Sequence, residues 1–197
     1  MADAPLVIGI ASRPHPAEVV NGDTYAVHWS GRVCRVAVID GLGHGVEAAK
    51  ASACAVETLD AHPSADPVEA IRRCHTALAG TRGAAISIAR LDVASGELVY
   101  AGIGNVEGHL WKGGRHERLI CYRGIVGSAM RTVRPFTVSL GEWWAFLLHS
   151  DGISARADLL ALGLPEPWAP EALAQAILER FGRPHDDALA LVALPRH

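Results

Sequence analysis

The sequence predicts an α+β fold in which helices cover the faces of antiparallel sheet. Three observations carry that expectation. The order of apolar segments reads strands, two helices, a long run of strands, helices and a final strand. From residue 84 onward the strand-like runs are short and separated by Gly-containing turns, which is hairpin spacing. The chain has 197 residues, 50% of them hydrophobic, which suits one domain over residues 1–197 with a sizeable core.

From the N-terminus, Leu6–Ala11 reads as a strand, followed by a rigid loop at Arg13-Pro14-His15-Pro16. A second strand, Thr24–Trp29, turns at Ser30-Gly31-Arg32 into a third that runs to Asp40. Helical spacing follows over Val46–Ala61. Asp66-Pro67-Val68-Glu69 then opens a second helix, with Pro at its first position, and Gly80 ends it. Ala84–Asp92, Glu97–Ile103 and Glu107–Lys112 read as an antiparallel meander that Arg118–Val126, Thr132–Ser139 and Trp143–His149 continue. Gly124–Gly127 reads either as a moving edge of a cleft or as a turn between strands. Ile153–Leu162 is expected to be a short helix, Pro170–Phe181 a longer one closed by Gly182, and Ala188–Leu194 the last strand.

Composition excludes several classes. The net charge is −3 and no Lys/Arg run exceeds two residues, so no nucleic-acid surface is expected. Apolar runs such as Trp143–Leu148 are far too short to cross a bilayer, and no basic segment precedes a long apolar one at the N-terminus. A soluble, cytoplasmic protein with no membrane partner is the expectation; a monomer is compatible with the sequence, which leaves the oligomeric state open. Cys34, Cys54, Cys74 and Cys121 are widely spaced and read as reduced, buried hydrophobes.

The chemistry centres on Val33–Asp40, an apolar run ending in a carboxylate, and the turn Gly41-Leu42-Gly43-His44-Gly45. A dinucleotide fingerprint would need a third Gly where Val46 stands, and Asp40 would repel a pyrophosphate. A carboxylate at the end of a buried strand calls for a cation or a set of donors. If the hairpin loop is the two residues Gly31-Arg32, Asp23 falls opposite Asp40; a bulge or a three-residue loop would instead leave Asp23 capping the turn at Asn21-Gly22. Ser150-Asp151-Gly152 repeats the strand–carboxylate–Gly device, and His185-Asp186-Asp187 precedes the last strand.

Carboxylate and carbonyl oxygens without thiolates select hard divalent ions, so two ions of Mn2+ or Mg2+ are the expected cofactors. Such a pair suits direct attack of water on a phosphate ester. Nucleophile chemistry is weaker: Ser128 lacks the second Gly of a nucleophile elbow, Cys121 has no phosphate-cradling loop, and His185-Asp186 has no helical His partner.

At Asp23, Asp40–Gly45, Ser150-Asp151-Gly152 and Asp186-Asp187, the chain resembles the manganese- or magnesium-dependent PP2C-type serine/threonine phosphatases. Within them it resembles the SpoIIE-like branch and its short RsbX type. Arg82–Ile88, Gly102–Val106 and Leu147–Gly152 extend the match over nearly the whole chain. The resemblance implies a four-layer αββα sandwich, two antiparallel sheets flanked by helices, with the metal site at one end. It implies that Asp40 bridges both ions, that Gly41 offers its carbonyl, that Asp151 and Asp186 hold one ion and Asp23 the other, with Asp187 behind them. It further implies that the substrates are phosphorylated STAS-domain proteins of the stressosome, a reset step in general stress signalling. Arg13 is a candidate phosphate contact. His44 is a candidate general acid, against a His that packs or caps the helix start. The competing reading is a non-catalytic binding module of the same fold docked on a signalling scaffold.

Overall fold

The computed structural model describes residues 4–163 and 168–196. Its reference frame is the hairpin of β2 (Asp23–Ser30) and β3 (Val33–Gly41). The pairing runs from Ser30 opposite Val33 to Asp23 opposite Asp40, so the loop is the two residues Gly31-Arg32. Gly31 has φ 59° and no described non-Gly residue has positive φ, the signature of a type II′ turn. Of the two registers open from sequence, the structure adopts the one that opposes the two carboxylates.

β4 (Ala84–Asp92), β5 (Glu97–Ile103) and β8 (Phe136–Ser139) complete a sheet of order β2-β3-β4-β5-β8. The second sheet joins β1 (Leu6–Arg13), β6 (Glu107–Lys112), β7 (Arg115–Leu119), β9 (Trp144–His149) and β10 (Ala188–Pro195) in the order β1-β10-β9-β6-β7. All pairings within both sheets are antiparallel. The sheets face each other across a core that includes Val36, Val38, Leu91, Leu98, Tyr100, Leu110, Phe146, Leu148 and Leu191. The outer face of the first sheet buries Ala37, Ile39, Ile86 and Ile88 against the helices α1 (Val46–Ala61) and α2 (Pro67–Ala77). The outer face of the second packs Leu147, Ala190 and Val192 against α3 (Pro170–Phe181). These are the four layers, αββα, that the resemblance implied.

Three expectations differ from the structure. The strand expected over Arg118–Val126 lies earlier, as β7. The turn Gly113-Gly114, both with positive φ, pairs Lys112 with Arg115 and starts the strand there. After Leu119 the chain leaves the second sheet for the first, and only isolated bridges remain, among them Ala84 with Val126. Val126 and Ala84 exchange backbone hydrogen bonds of 2.9 and 3.0 Å, so Gly124–Gly127 is a pinned turn. The meander is accordingly divided between the sheets, with the crossing from β5 to β6 at Gly104–Val106.

The strand expected over Thr132–Ser139 shortens to Phe136–Ser139 because Pro135 has no N–H to offer a ladder. Ile153–Leu162 is no α-helix; only Leu160–Leu162 forms a 3-10 turn. Local side-chain acceptors compete with helix there. Ser154 Oγ accepts from Arg156 N–H and Asp158 Oδ1 from Leu160 N–H, while Ser154 N–H is drawn to the Phe181 carbonyl.

Two polar contacts set the helices on the first sheet. Asp66 caps α2 by accepting from Val68 and Glu69 N–H at 2.9 and 3.0 Å. Arg35, buried on β3, donates to the carbonyls of Leu59, His62 and Ala65 at 2.8, 2.6 and 3.2 Å. A cation thus meets the negative end of α1, adding a charged donor at the Leu59 and His62 carbonyls, which also accept the backbone N–H of His62 and Ala65. Arg35→Met is expected to destabilise the chain by about 1–3 kcal/mol in urea unfolding, because three carbonyls lose a charged donor that joins the end of α1 to β3. Arg90→Met, which removes only 3.6 Å contacts to Asp92 and Glu97, is expected to change stability by less than about 1 kcal/mol.

Candidate functional site

Four strand ends deliver carboxylates to one rim of the sandwich. Asp40 closes β3 opposite Asp23, which opens β2. Asp151 follows Ser150 at the end of β9, and Asp186-Asp187 precede the start of the adjacent β10. The two sheets thus contribute two strand ends each. Asp40 feels Asp23 most strongly among its charged neighbours, then Asp151, Asp186 and Asp187. The four carboxylates expected from sequence are therefore brought together, and Asp187 joins them.

Their electrostatics are unfavourable without a counter-charge. Burial, then the charge of Asp23, pushes Asp40 up to about 9. Burial raises Asp23 to about 7, the Ser150 side chain pulls the other way by hydrogen bonding, and Asp187 adds to the rise. Asp186 is raised by partial burial and then by Asp151. Oδ2 of Asp23 and Oδ2 of Asp187 are buried with no hydrogen-bond partner. Buried, unpartnered carboxylate oxygens of this kind are costly unless something positive meets them.

The surroundings hold the carboxylates in place. Asn105 Nδ2 donates to Asp151 Oδ2 at 2.5 Å, and the His15 backbone N–H donates to Asp187 Oδ1 at 2.8 Å. Ser150 Oγ accepts from Leu189 N–H at 3.0 Å, tying β9 to β10 beside Asp23. The glycines after the two strand-end aspartates are required by close approach. A Cβ on Gly41 would stand 2.1 Å from the Ala48 carbonyl oxygen, and one on Gly152 would stand 1.8 Å from that of Asp187. At Gly41 the missing side chain admits the first turn of α1 onto the strand end.

Asn105, His15 and Asp187 are the residues that sequence reasoning undervalued. Asn105 appeared only inside a matching segment, His15 only as loop, and Asp187 only behind the ligands, although it is 3% exposed. His44 sits in the Gly turn with Nδ1 2.7 Å from Glu18 Oε1 and its ring stacked on His15, centroids 4.5 Å apart. Arg13 donates to the Arg183 carbonyl, in the loop that leads to Asp186. The cation beside the Gly turn is Arg82, whose guanidinium nitrogen would lie 2.8 Å from a Cβ at Gly43. Among the weaker nucleophile candidates, Cys121 is pushed up by burial and its Sγ donates to the Val106 carbonyl, which suits a structural thiol. Ser128 lies in a turn, its N–H bonded to the Ile125 carbonyl.

Comparison with known proteins agrees with this geometry. Residues 30–196 match the family model described as Stage II sporulation protein E (SpoIIE). The phosphoserine phosphatase RsbX of Bacillus subtilis (strain 168) is 26% identical over 134 residues, 68% of this chain and 67% of that protein. A structure described as "The bacterial stressosome: a modular system that has been adapted to control secondary messenger signaling" is 33% identical, covers 95% of this chain and 98% of its own, and superposes with a TM-score of 0.90. The crystal structure of RsbX in complex with magnesium shares the fold with a TM-score of 0.86 at 21% identity, over 97% of this chain and 96% of its own. With the αββα layers and the rim of carboxylates already in place, a family match over residues 30–196 makes this chain a member of the SpoIIE family of PP2C-type phosphatases.

Proposed function

We propose that the chain is an RsbX-type phosphatase that uses two divalent ions, Mn2+ or Mg2+, to hydrolyse phosphoserine and phosphothreonine. The observation that carries this reading is the cluster of buried carboxylates from both sheets, with Oδ2 of Asp23 and of Asp187 unpartnered. An all-oxygen donor set with surplus negative charge fits a hard divalent cation. In this reading Asp40 and the Gly41 carbonyl would hold the ions together with Asp151 and Asp186 for one and Asp23 for the other. When bound, such ions lower the pKa of water and neutralise phosphoryl oxygens.

The chain's own residues position and restrain. Asn105 keeps Asp151 oriented, the His15 N–H keeps Asp187 oriented, and Arg82 offers a cation beside the turn. His44 has Nδ1 engaged by Glu18, which leaves Nε2 as the nitrogen available for passing a proton to a leaving group. No side-chain nucleophile is required.

We further assign the substrates to phosphorylated STAS-domain proteins of the stressosome. The likeness to RsbX and to a structure described under the stressosome supports this. A cytoplasmic setting accords with Cys34, Cys54, Cys74 and Cys121, all of them free thiols. Among the described residues no helix is long and apolar enough to cross a membrane.

Asp40→Asn is expected to reduce Mn2+-dependent phosphate release from a phosphorylated STAS domain to the metal-free background; full activity in that variant would refute the assignment. Asn105→Ala is expected to raise the Mn2+ concentration for half-maximal activity about 10–100-fold, by freeing Asp151. The carboxyl shifts also set a pH dependence for the metal-free chain. Asp23 and Asp40 stay protonated to higher pH in the fold than in the unfolded chain, which favours the fold at low pH. That advantage is lost as pH rises from 3.8 through about 7 and about 9. Thermal unfolding in chelator should therefore show a midpoint that falls from pH 5 to pH 9, with a shallower fall in Asp40→Asn.

A further inference from the structure

Outside the aspartate rim, the outer face of the second sheet carries a cluster that the phosphatase reading does not use. β6 presents Glu107, His109 and Trp111 on one face at alternate positions, and β9 pairs His149 opposite Glu107. β7 brings His116 opposite Trp111. His109 is fully buried and His149 is 1% exposed. One ligand atom each from Glu107, His109 and His149 can be chosen so that all three lie within 4.8 Å of one another.

The contacts in this cluster follow from how the outer nitrogens are engaged. His149 Nδ1 is 2.9 Å from the Ser150 carbonyl, so it carries the proton and Nε2 carries the lone pair. That Nε2 faces His109 Nε2 at 3.2 Å, and His109 Nε2 lies 3.4 Å from Glu107 Oε2. Two ligands held at about 2.0–2.1 Å around a tetrahedral zinc ion stand about 3.3–3.4 Å apart. The outer nitrogen of His109, Nδ1, is 2.9 Å from His116 Nε2. Both rings therefore have an outer hydrogen-bond partner of the kind that orients metal-ligating imidazoles. Arg118 donates to Glu107 Oε2 and holds that carboxylate in place. Trp111 stacks on His116 at 4.4 Å and on His109 at 5.7 Å, walling the group with apolar surface.

We propose that Glu107, His109 and His149 form a second metal site, for Zn2+ or a similar first-row transition ion, separate from the aspartate rim. The two sites differ in chemistry. Imidazole nitrogens suit zinc, whereas a purely oxygen rim suits Mg2+ or Mn2+. An ion here ties the start of β6 to the end of β9, where the chain goes on to Asp151 and where Asn105 reaches it. The ion thus braces the strand end that presents Asp151. In its absence the same rings form a hydrogen-bonded file from His116 through His109 to His149, ending on the Ser150 carbonyl.

The test uses the full chain, stripped with chelator and then kept in excess Mg2+, titrated with Co2+ and followed by the visible absorption of four-coordinate cobalt. One equivalent of signal is expected, displaced by Zn2+, together with a rise in the thermal unfolding midpoint. His109→Gln and Glu107→Gln should each weaken binding at least about tenfold, with circular dichroism reporting that each is folded. Glu107 is partly exposed, so Glu107→Gln decides the matter if the buried His109 variant does not fold. Asp40→Asn should keep the cobalt signal whatever its effect on phosphate release, which separates this site from the phosphatase assignment. Absence of a four-coordinate signal in the wild type, its survival in Glu107→Gln, or its loss in Asp40→Asn would overturn the proposal and leave only the imidazole file.

Discussion

The burial of carboxylates that also repel one another is the constraint on which the architecture rests. Asp23 and Asp40 stand directly opposite each other in a non-negotiable register, and Asp151, Asp186 and Asp187 add charge from the second sheet. Like charges opposed across a strand pair destabilise it. The carboxylates are held together by elements that cannot relax. β3 is buried along nearly its whole length, the two sheets lock against each other, and glycines at 41 and 152 leave room only for backbone. The interior is stable enough to hold at its rim an arrangement that is unfavourable until a cation joins it.

How much of this was legible in sequence depends on the range of the interaction concerned. The hairpin register was legible because a Gly-x loop between two alternating strands admits few geometries, and counting outward from it reached Asp23 and Asp40. The cap at Asp66-Pro67 was legible for the same local reason. The segments that failed are those whose conformation is set from outside. Arg118–Val126 has strand-like composition but must cross between sheets, and Ile153–Leu162 has helical spacing but is captured by Ser154, Asp158 and the end of α3.

The same distinction applies to the site. Each Asp was visible as a carboxylate beside Gly or another Asp at a strand end. The partners that orient them, Asn105 and the His15 N–H, lie 46 and 172 residues from the groups they hold. The histidine cluster on β6 and β9 was hidden likewise. Glu107-x-His109-x-Trp111 shows the period of a strand face, yet His149 reaches it only through pairing across 40 residues.

The hairpin loop Gly31-Arg32 works as a ruler for the whole rim. Because successive side chains of a strand alternate between faces, a one-residue slip of β2 against β3 would turn Asp23 to the wrong side of the sheet, and Ala26 and Val27 with it. A change of length at Gly113-Gly114, between β6 and β7, would by contrast shift none of the five aspartates. A two-residue connection far from the carboxylates in this sense sets where one of them stands.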